Sequence, residues 1–165
     1  MAEFLGRRWR LLLLVVVAIG LGSVSWTSLS RPSAVGAAEN AGPEYLNADS
    51  ASVAPYSDAV RVGSMLYLSG NLGLGADGKL VPGGIKPEAE QAMENMKRTL
   101  ERFGSSMDRV VSCLLLLADI RDREAFNQVY EKYFTPQHFP ARAALGTSGL
   151  YAGARVEIKC QAVVK

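Results

Sequence analysis

Residues 109–120 constrain the fold more than any other stretch of the chain. They form a nearly continuous apolar run that includes Val110-Val111 and the leucines at positions 114–117. A strand with one solvated face alternates apolar and polar residues, whereas an almost unbroken apolar run is typical of a strand covered on both faces. We therefore predict a buried strand here. Helices of the same chain can cover one face, and self-association would cover the other.

Two amphipathic helices are predicted, one before and one after this strand in the sequence. The first begins near Pro87 and stops at Gly104, and its apolar stripe consists of Ala92, Met93, Met96, Leu100 and Phe103. The second begins after Asp122, a favourable capping residue, and its stripe consists of Phe126, Val129, Tyr130, Tyr133 and Phe134. Spacings of three and four residues place each stripe on one helix face. The apolar face of each helix needs an apolar surface to pack against.

Shorter strands complete the pattern. Val60 to Val62 and Met65 to Ser69 surround a tight reversal at Gly63-Ser64, which predicts a hairpin. Residues 141–147 are strand-like, and residues 155–164 alternate apolar and polar positions as a half-buried strand does. The resulting order, two strands, helix, strand, helix and two strands, predicts an α+β domain with both helices packed on one sheet face.

The first 38 residues have the layout of an export signal. Basic residues at 7, 8 and 10 precede an apolar run at 11–22, and small residues follow at 35–38. This run is shorter than the roughly 20 residues of a membrane span, so a secretory signal peptide cut after Ala37 or Ala38 is expected. An uncleaved membrane anchor is the alternative, and the Arg7-Arg8 pair fits a twin-arginine signal only loosely.

These features divide the chain into three segments. Residues 1–38 are a signal peptide or membrane anchor, residues 39–52 are a linker without periodicity, and residues 53–165 are the folded body. We expect order to begin near Ala54. Either reading of the N-terminus places the body outside the cytoplasm, in the periplasm of a bacterium. Contact with a membrane is expected only if the N-terminal segment stays uncleaved.

The formal charge of +2 comes from the N-terminus. Beyond residue 38 the chain holds 14 basic and 15 acidic residues, a net charge of −1. A nearly neutral body lacks the basic surface that phosphate-backbone binding requires. Nucleic acid is therefore not expected as a partner.

Cys113 and Cys160 are the only cysteines, and both lie in apolar strand-like runs. An oxidising compartment would permit a disulfide, but buried free cysteines are common, and packing without a bridge is the favoured reading. Two distant cysteines and the single His138 do not make a metal-ligand set, so no metal is expected.

Two motifs that could suggest a functional site are predicted to be ordinary loop structure. The GxGxxG pattern at 73–78 is followed by residues 79–84, a loop-like segment, rather than at once by the helix that a dinucleotide site needs. We predict a glycine-rich loop with a turn at Asp77-Gly78. His138, between prolines and without a serine or cysteine partner in the sequence pattern, is predicted to be an exposed loop residue.

Arg142 and Glu157 form the informative pair. If residues 141–147 and 155–164 form an antiparallel hairpin about Gly149-Leu150, these two residues lie opposite each other on one face. An arginine fork suits a carboxylate, and a nearby glutamate can orient or deprotonate water. An ordinary cross-strand ion pair is the alternative reading.

The stretch 140–143 (Pro-Ala-Arg-Ala) followed by Val156-Glu157-Ile158 resembles the C-terminal signature of the reactive intermediate deaminase family (Rid, YjgF-like, RutC-like). The resemblance extends in order through Pro55-Tyr56-Ser57, Leu68-Ser69-Gly70, the helix around 92–100 and residues 127–130 (Asn-Gln-Val-Tyr). It covers about 110 residues, essentially the whole body.

This resemblance implies a chorismate-mutase-like fold, a mixed sheet with two helices on one face, assembled as a homotrimeric barrel with clefts between subunits. It also implies hydrolysis of enamines and imines such as 2-aminoacrylate to 2-keto acids and ammonia, without metal or cofactor. Arg142 would clamp the substrate carboxylate, and Glu157 would position water. The remaining implied site residues line the cleft or hydrogen-bond within it: Tyr56, Ser69, Gly70 and Asn127.

Two other functions stay open. The export signal favours a non-catalytic trimeric binder of small carboxylates or a chaperone-like protein as the main alternative. Ribonuclease activity has been attributed to some relatives of the family, but the body's net charge of −1 counts against it.

Overall fold

The computed structural model describes residues 42–51 and 53–164, which form a seven-stranded sheet and two α-helices. The strands are β1 Glu44–Leu46, β2 Ala59–Val62, β3 Met65–Leu68, β4 Asn71–Leu72, β5 Val110–Leu117, β6 Ala141–Gly146 and β7 Val156–Val163. The helices are α1 Ile85–Arg102 and α2 Arg123–Tyr130. None of the described helices is long and apolar enough to cross a membrane. The predicted signal segment lies outside the described residues.

The sheet is mixed, as predicted. Its order is β1-β2-β3-β7-β5-β6, and β4 pairs with β7. All pairs are antiparallel except β5 with β6, which run parallel. Parallel neighbours require a crossover connection, and α2 lies in the segment that links them.

One hydrophobic core joins both helices to one face of the sheet. Strands β5 and β7 contribute alternate residues to it, including Leu115, Leu117, Val156 and Ile158, and the helices contribute most of their predicted stripes. The predicted arrangement of two helices on one sheet face is therefore confirmed. Gly104, with φ +83°, follows the end of α1, where a left-handed residue stops the helix.

The second face of β5 is only partly covered by the described residues. Leu114 and Leu116 stay half-buried, and Leu145 on the neighbouring β6 is 52% exposed. Described residues of the same chain cover one face of this strand, as predicted, and cover the other face only in part. An apolar surface at the centre of a sheet is unusual on a protein that stays monomeric.

The glycine-rich loop and His138 have the predicted structure. Gly78 has φ +75° in a turn, and α1 begins only at Ile85, so no helix follows the GxGxxG pattern directly. His138 is exposed. Among the described residues, no group of three or more His, Cys, Asp or Glu side chains could hold a metal ion.

The predicted linker contains a strand, which corrects the expectation that order begins near Ala54. Strand β1 pairs with β2, and the Arg61 guanidinium donates to the Glu44 carboxylate through Nε at 2.8 Å. Asp58 donates its backbone N–H to the Asn47 side chain. A short edge strand held by backbone and polar contacts has no apolar periodicity, so the sequence pattern does not reveal it.

The predicted hairpin between residues 141–147 and 155–164 is wrong. Strand β5 lies between β6 and β7 and pairs with both. Alternation along a strand indicates which side chains share a face, but it does not indicate which strand is the neighbour.

Asp122 occupies the N-cap position of α2, as predicted, but its side chain makes no capping hydrogen bond. A 3-10 turn, Ile120–Asp122, precedes α2, and the Asp122 carboxylate accepts hydrogen bonds from the Arg155 guanidinium at 2.8 and 3.0 Å instead of capping the helix. The aspartate thereby ties the start of α2 to the segment that leads into β7.

Cys113 and Cys160 form a disulfide, which corrects the reading as free packed cysteines. The two residues are register partners on β5 and β7, and both are buried. The interpretation failed because this register could not be known before the strand order was.

Removing the disulfide is expected to lower the free energy of unfolding by about 2–4 kcal/mol, because the bridge restricts the unfolded chain across 47 residues. Thermal unfolding of the protein with and without a reductant measures the change. A Cys113→Ala, Cys160→Ala double variant is the control, since its unfolding temperature should not respond to reductant. Equal stability of the oxidised and reduced protein would contradict the expectation.

Candidate functional site

Arg142 on β6 reaches across the face that carries the helices. Its Nη2 donates to Oδ1 of Asn127 at 2.6 Å, and its guanidinium carbon lies 4.4 Å from the centre of the Tyr130 ring. Neither contact could be predicted from the pairing of strands, because Asn127 and Tyr130 belong to α2. The structure thus brings together two predicted site residues, Arg142 and Asn127.

The guanidinium of Arg142 has an unused donor. Its Nη1 is buried and has no hydrogen-bond partner among the described residues. Burial lowers the pKa of Arg142, yet an arginine stays protonated in proteins. A desolvated cation with a free N–H is costly unless an acceptor reaches it, and a carboxylate is the acceptor that matches a guanidinium best.

A cleft of about 480 Å³ surrounds this cation. Its lining residues are Arg123, Asn127, Tyr130, Glu131, Phe139, Pro140, Arg142 and Ala144. The Tyr130 hydroxyl is buried and without a partner among the described residues, and burial raises its pKa. The hydroxyl therefore stays protonated and can donate a hydrogen bond at neutral pH. The cleft combines a cation, a hydroxyl and aromatic surface, which suits a small acid.

Glu157 belongs to a second group of predicted residues. It lies half-buried on β7 beside Leu72 of β4, and no described residue donates a hydrogen bond to its carboxylate. Gly70 is so near that a Cβ built on it would lie 1.7 Å from Oε1 of Glu157. Only glycine leaves the Glu157 side chain in this position.

The two groups lie on opposite faces of the sheet. Arg142 pairs with Cys113, and Glu157 pairs with Leu116. Residues paired across neighbouring strands point to the same face, and positions 113 and 116 are an odd number of residues apart on a regular stretch of β5. Arg142 and Glu157 of one chain therefore cannot contact one ligand together.

Ser69 precedes Gly70 in the sequence, and its hydrogen bonds tie it to the segment that carries Tyr56. The Ser69 hydroxyl donates to the carbonyl oxygen of Ser57 at 2.6 Å, and its backbone N–H donates to the carbonyl of Asp58. These bonds fix the loop that presents Tyr56, whose side chain is 64% exposed. The serine hydroxyl is thus already used in holding a loop, and the tyrosine ring is available to an approaching molecule.

Comparison with known proteins identifies the family. The family model described as Endoribonuclease L-PSP matches residues 47–164 of the chain, which is nearly all of the described region. The chain belongs to this family. The resemblance to Rid (YjgF-like) proteins drawn from the sequence is thereby confirmed.

Relatives within the family are similar over the same region. A 2-iminobutanoate/2-iminopropanoate deaminase from Capra hircus is 47% identical over 114 residues, which are 68% of this chain and 82% of that protein. The human protein of the same name is 42% identical over 112 residues, 67% of this chain and 81% of its own length. The crystal structure of RidA from the Antarctic bacterium Psychrobacter sp. superposes with a TM-score of 0.64 at 36% identity, covering 69% of this chain and 92% of that one.

Sequence patterns missed three residues that line the cleft in this family member. These are Arg123, Glu131 and Phe139; Tyr130 lies in the core, as the stripe of the second helix predicts, and also borders the cleft. A signal existed for Arg123, because it lies four residues before Asn127 and so shares its helix face. Phe139 follows no periodic pattern, and only the tertiary structure places it.

Replacing Gly70 with alanine tests the second group. The new Cβ would collide with the end of the Glu157 side chain, which can rotate away, so the fold should persist while the carboxylate moves. We expect at least a tenfold loss of any activity that depends on Glu157, with an unfolding temperature close to that of the wild type. Gly63→Ala is a useful contrast, because its φ of +57° strains alanine although nothing lies near its Cβ. It should lower stability without changing activity in the folded protein. Unchanged activity in Gly70→Ala would contradict the importance of this geometry.

Proposed function

We propose that the chain is a hydrolytic deaminase that converts small enamine and imine acids, of the 2-aminoacrylate kind, to 2-keto acids and ammonia. The buried and unpartnered Nη1 of Arg142 carries this proposal, since it is a carboxylate-binding donor inside a cleft of suitable size. The names of the relatives from Capra hircus and human add the reaction class.

The reaction asks little of the protein. An enamine acid first takes a proton on carbon and becomes the imine, whose carbon is electrophilic. Water adds to that carbon, a proton passes to nitrogen, and the carbon–nitrogen bond breaks to give a ketone oxygen and ammonia. Arg142 holds the carboxylate, and a Glu157 carboxylate orients the water and accepts its proton. Orientation and one proton acceptor are sufficient, and no step needs a metal or cofactor.

The active site is proposed to form between two copies of the chain. Arg142 and Glu157 face opposite sides of one sheet, so one copy supplies the arginine and its neighbour supplies the glutamate. The half-exposed apolar face formed by Leu114, Leu116 and Leu145 gives the copies a surface to bury. A closed ring of three, in which each copy uses both of its faces, fits this head-to-tail arrangement.

Hydrolysis of freshly generated imines tests the function. An amino-acid oxidase acting on alanine or 2-aminobutyrate supplies 2-iminopropanoate or 2-iminobutanoate, and the loss of each imine is followed with and without the purified chain. A rate above buffer supports the deaminase. No rate above buffer, together with calorimetric binding of the 2-keto acids, would instead support the non-catalytic carboxylate binder.

We also propose that the body acts outside the cytoplasm, in the periplasm if the source is bacterial. The layout of residues 1–38 motivates this location, and the buried Cys113–Cys160 disulfide supports it, since such bonds persist in oxidising compartments. Fractionation of cells that express the full chain, with alkylation of free thiols, tests it. Recovery of reduced chain in the cytoplasmic fraction would overturn the proposal.

A further inference from the structure

The cleft contains a second cation, Arg123, at the first position of α2. Two other arginines near this end of the helix are paired with aspartates, Arg121 with Asp119 and Arg155 with Asp122. Within the described part of the chain, no side chain forms a hydrogen bond or ion pair with Arg123. Of these three arginines, Arg123 alone lines the cleft.

The two cleft arginines are near enough to affect each other. Burial is the main cause that lowers the pKa of Arg142, and the positive charge of Arg123 lowers it further. Two like charges beside one cleft repel, and Glu131 offsets only one of them. Arg142 already donates from Nη2 to Asn127, so its unpartnered Nη1 is the group that suits one carboxylate. Arg123 is exposed at the cleft, so its charge is accessible to a second anionic group.

We propose that the cleft selects acids with two carboxylates, and that its preferred substrates are dicarboxylic imino acids such as 2-iminosuccinate or 2-iminoglutarate. Arg142 binds the carboxylate next to the imine carbon, and Arg123 binds the carboxylate at the far end of the side chain. This assignment of one carboxylate to each arginine rests on the proposed deaminase function. A cleft of about 480 Å³ accommodates the longer acid, since pockets of roughly 300–1,000 Å³ hold much larger ligands.

Binding of two keto acids that differ only in the terminal group tests this selectivity. Calorimetry compares 2-oxoglutarate with 2-oxopentanoate, which has the same carbon chain and a methyl end in place of the second carboxylate. We expect the full chain to bind 2-oxoglutarate at least about tenfold more tightly, a difference of about 1.4 kcal/mol. Arg123→Gln should remove most of that preference and weaken binding of 2-oxopentanoate much less than that of 2-oxoglutarate, because only the second carboxylate contacts Arg123 directly.

Arg121→Gln is the matched control. Arg121 is two positions before Arg123 and carries the same charge, but it does not line the cleft. The preference should survive in this variant. Equal binding of both acids by the wild type, or a preference that survives Arg123→Gln, would overturn the inference.

Turnover separates this inference from the proposed function. The ratio of kcat/KM for 2-iminoglutarate to that for 2-iminopropanoate should exceed one and fall about tenfold in Arg123→Gln. Turnover of 2-iminopropanoate without any binding preference would reject the selectivity and leave the deaminase standing. A binding preference with no turnover of either imine would reject the deaminase and leave the selectivity standing.

Discussion

Replacing Arg142 with lysine is expected to lower kcat/KM for imine hydrolysis by about 10²–10³-fold while the protein stays folded. The guanidinium donates to Asn127, lies over the Tyr130 ring and keeps Nη1 free inside the cleft. A lysine ammonium keeps the charge but loses the planar fork that can make these contacts together. The expected loss corresponds to about 2.7–4 kcal/mol of transition-state stabilisation, which is as much as or more than one charged hydrogen bond contributes, because several contacts of the guanidinium are lost together.

Steady-state kinetics on 2-iminopropanoate measures this effect, and a thermal unfolding curve checks the fold. Arg61→Lys is the matched control, because Arg61 also donates from its guanidinium to a side chain but lies on β2, away from the cleft. That variant should keep at least half of the wild-type rate. If Arg142→Lys also kept half of it, the carboxylate clamp would be wrong and the cleft would need another ligand.

Periodicity predicted the elements well because it is a local property. The alternation in β7 and the stripe of α1 record which side of each element is buried, and the structure confirms both. The same patterns carry little information about strand order. Residues 141–147 and 155–164 are adjacent in sequence, yet β5 separates them in the sheet. The predicted contact between Arg142 and Glu157 depended on that order and fails within one chain.

The candidate site depends on contacts between residues that no local pattern connects. Arg142 meets Asn127 because α2 lies in the crossover from β5 to β6, and Cys113 meets Cys160 because β5 and β7 adopt one particular register. The residue pattern singled out Arg142 and Glu157, and the family resemblance added Asn127 and Gly70, but neither could show that these residues separate into two groups on opposite faces. That separation is a consequence of the mixed sheet and requires coordinates.

Separation into two groups also changes what a mutation should do to an oligomer. In a head-to-tail ring, each site takes Arg142 from one copy and Glu157 from the next. A variant that lacks one of these residues loses every site when it assembles alone. Copies that lack different residues can still form an intact site wherever the correct two neighbours meet.

Mixing Arg142→Ala with Glu157→Gln copies is therefore expected to restore activity that neither variant has alone. In a ring of three that contains both kinds of copy, one interface brings an intact Arg142 to an intact Glu157, so about one third of the wild-type activity per ring should return. Co-expression with two different affinity tags, followed by purification through both, isolates the mixed rings for the imine assay. Rings purified in the same way from Arg142→Ala and Arg142→Lys copies are the control and should stay at the level of the single variants. If mixed rings of confirmed composition recovered no activity, the site would not be formed by Arg142 of one copy and Glu157 of the next.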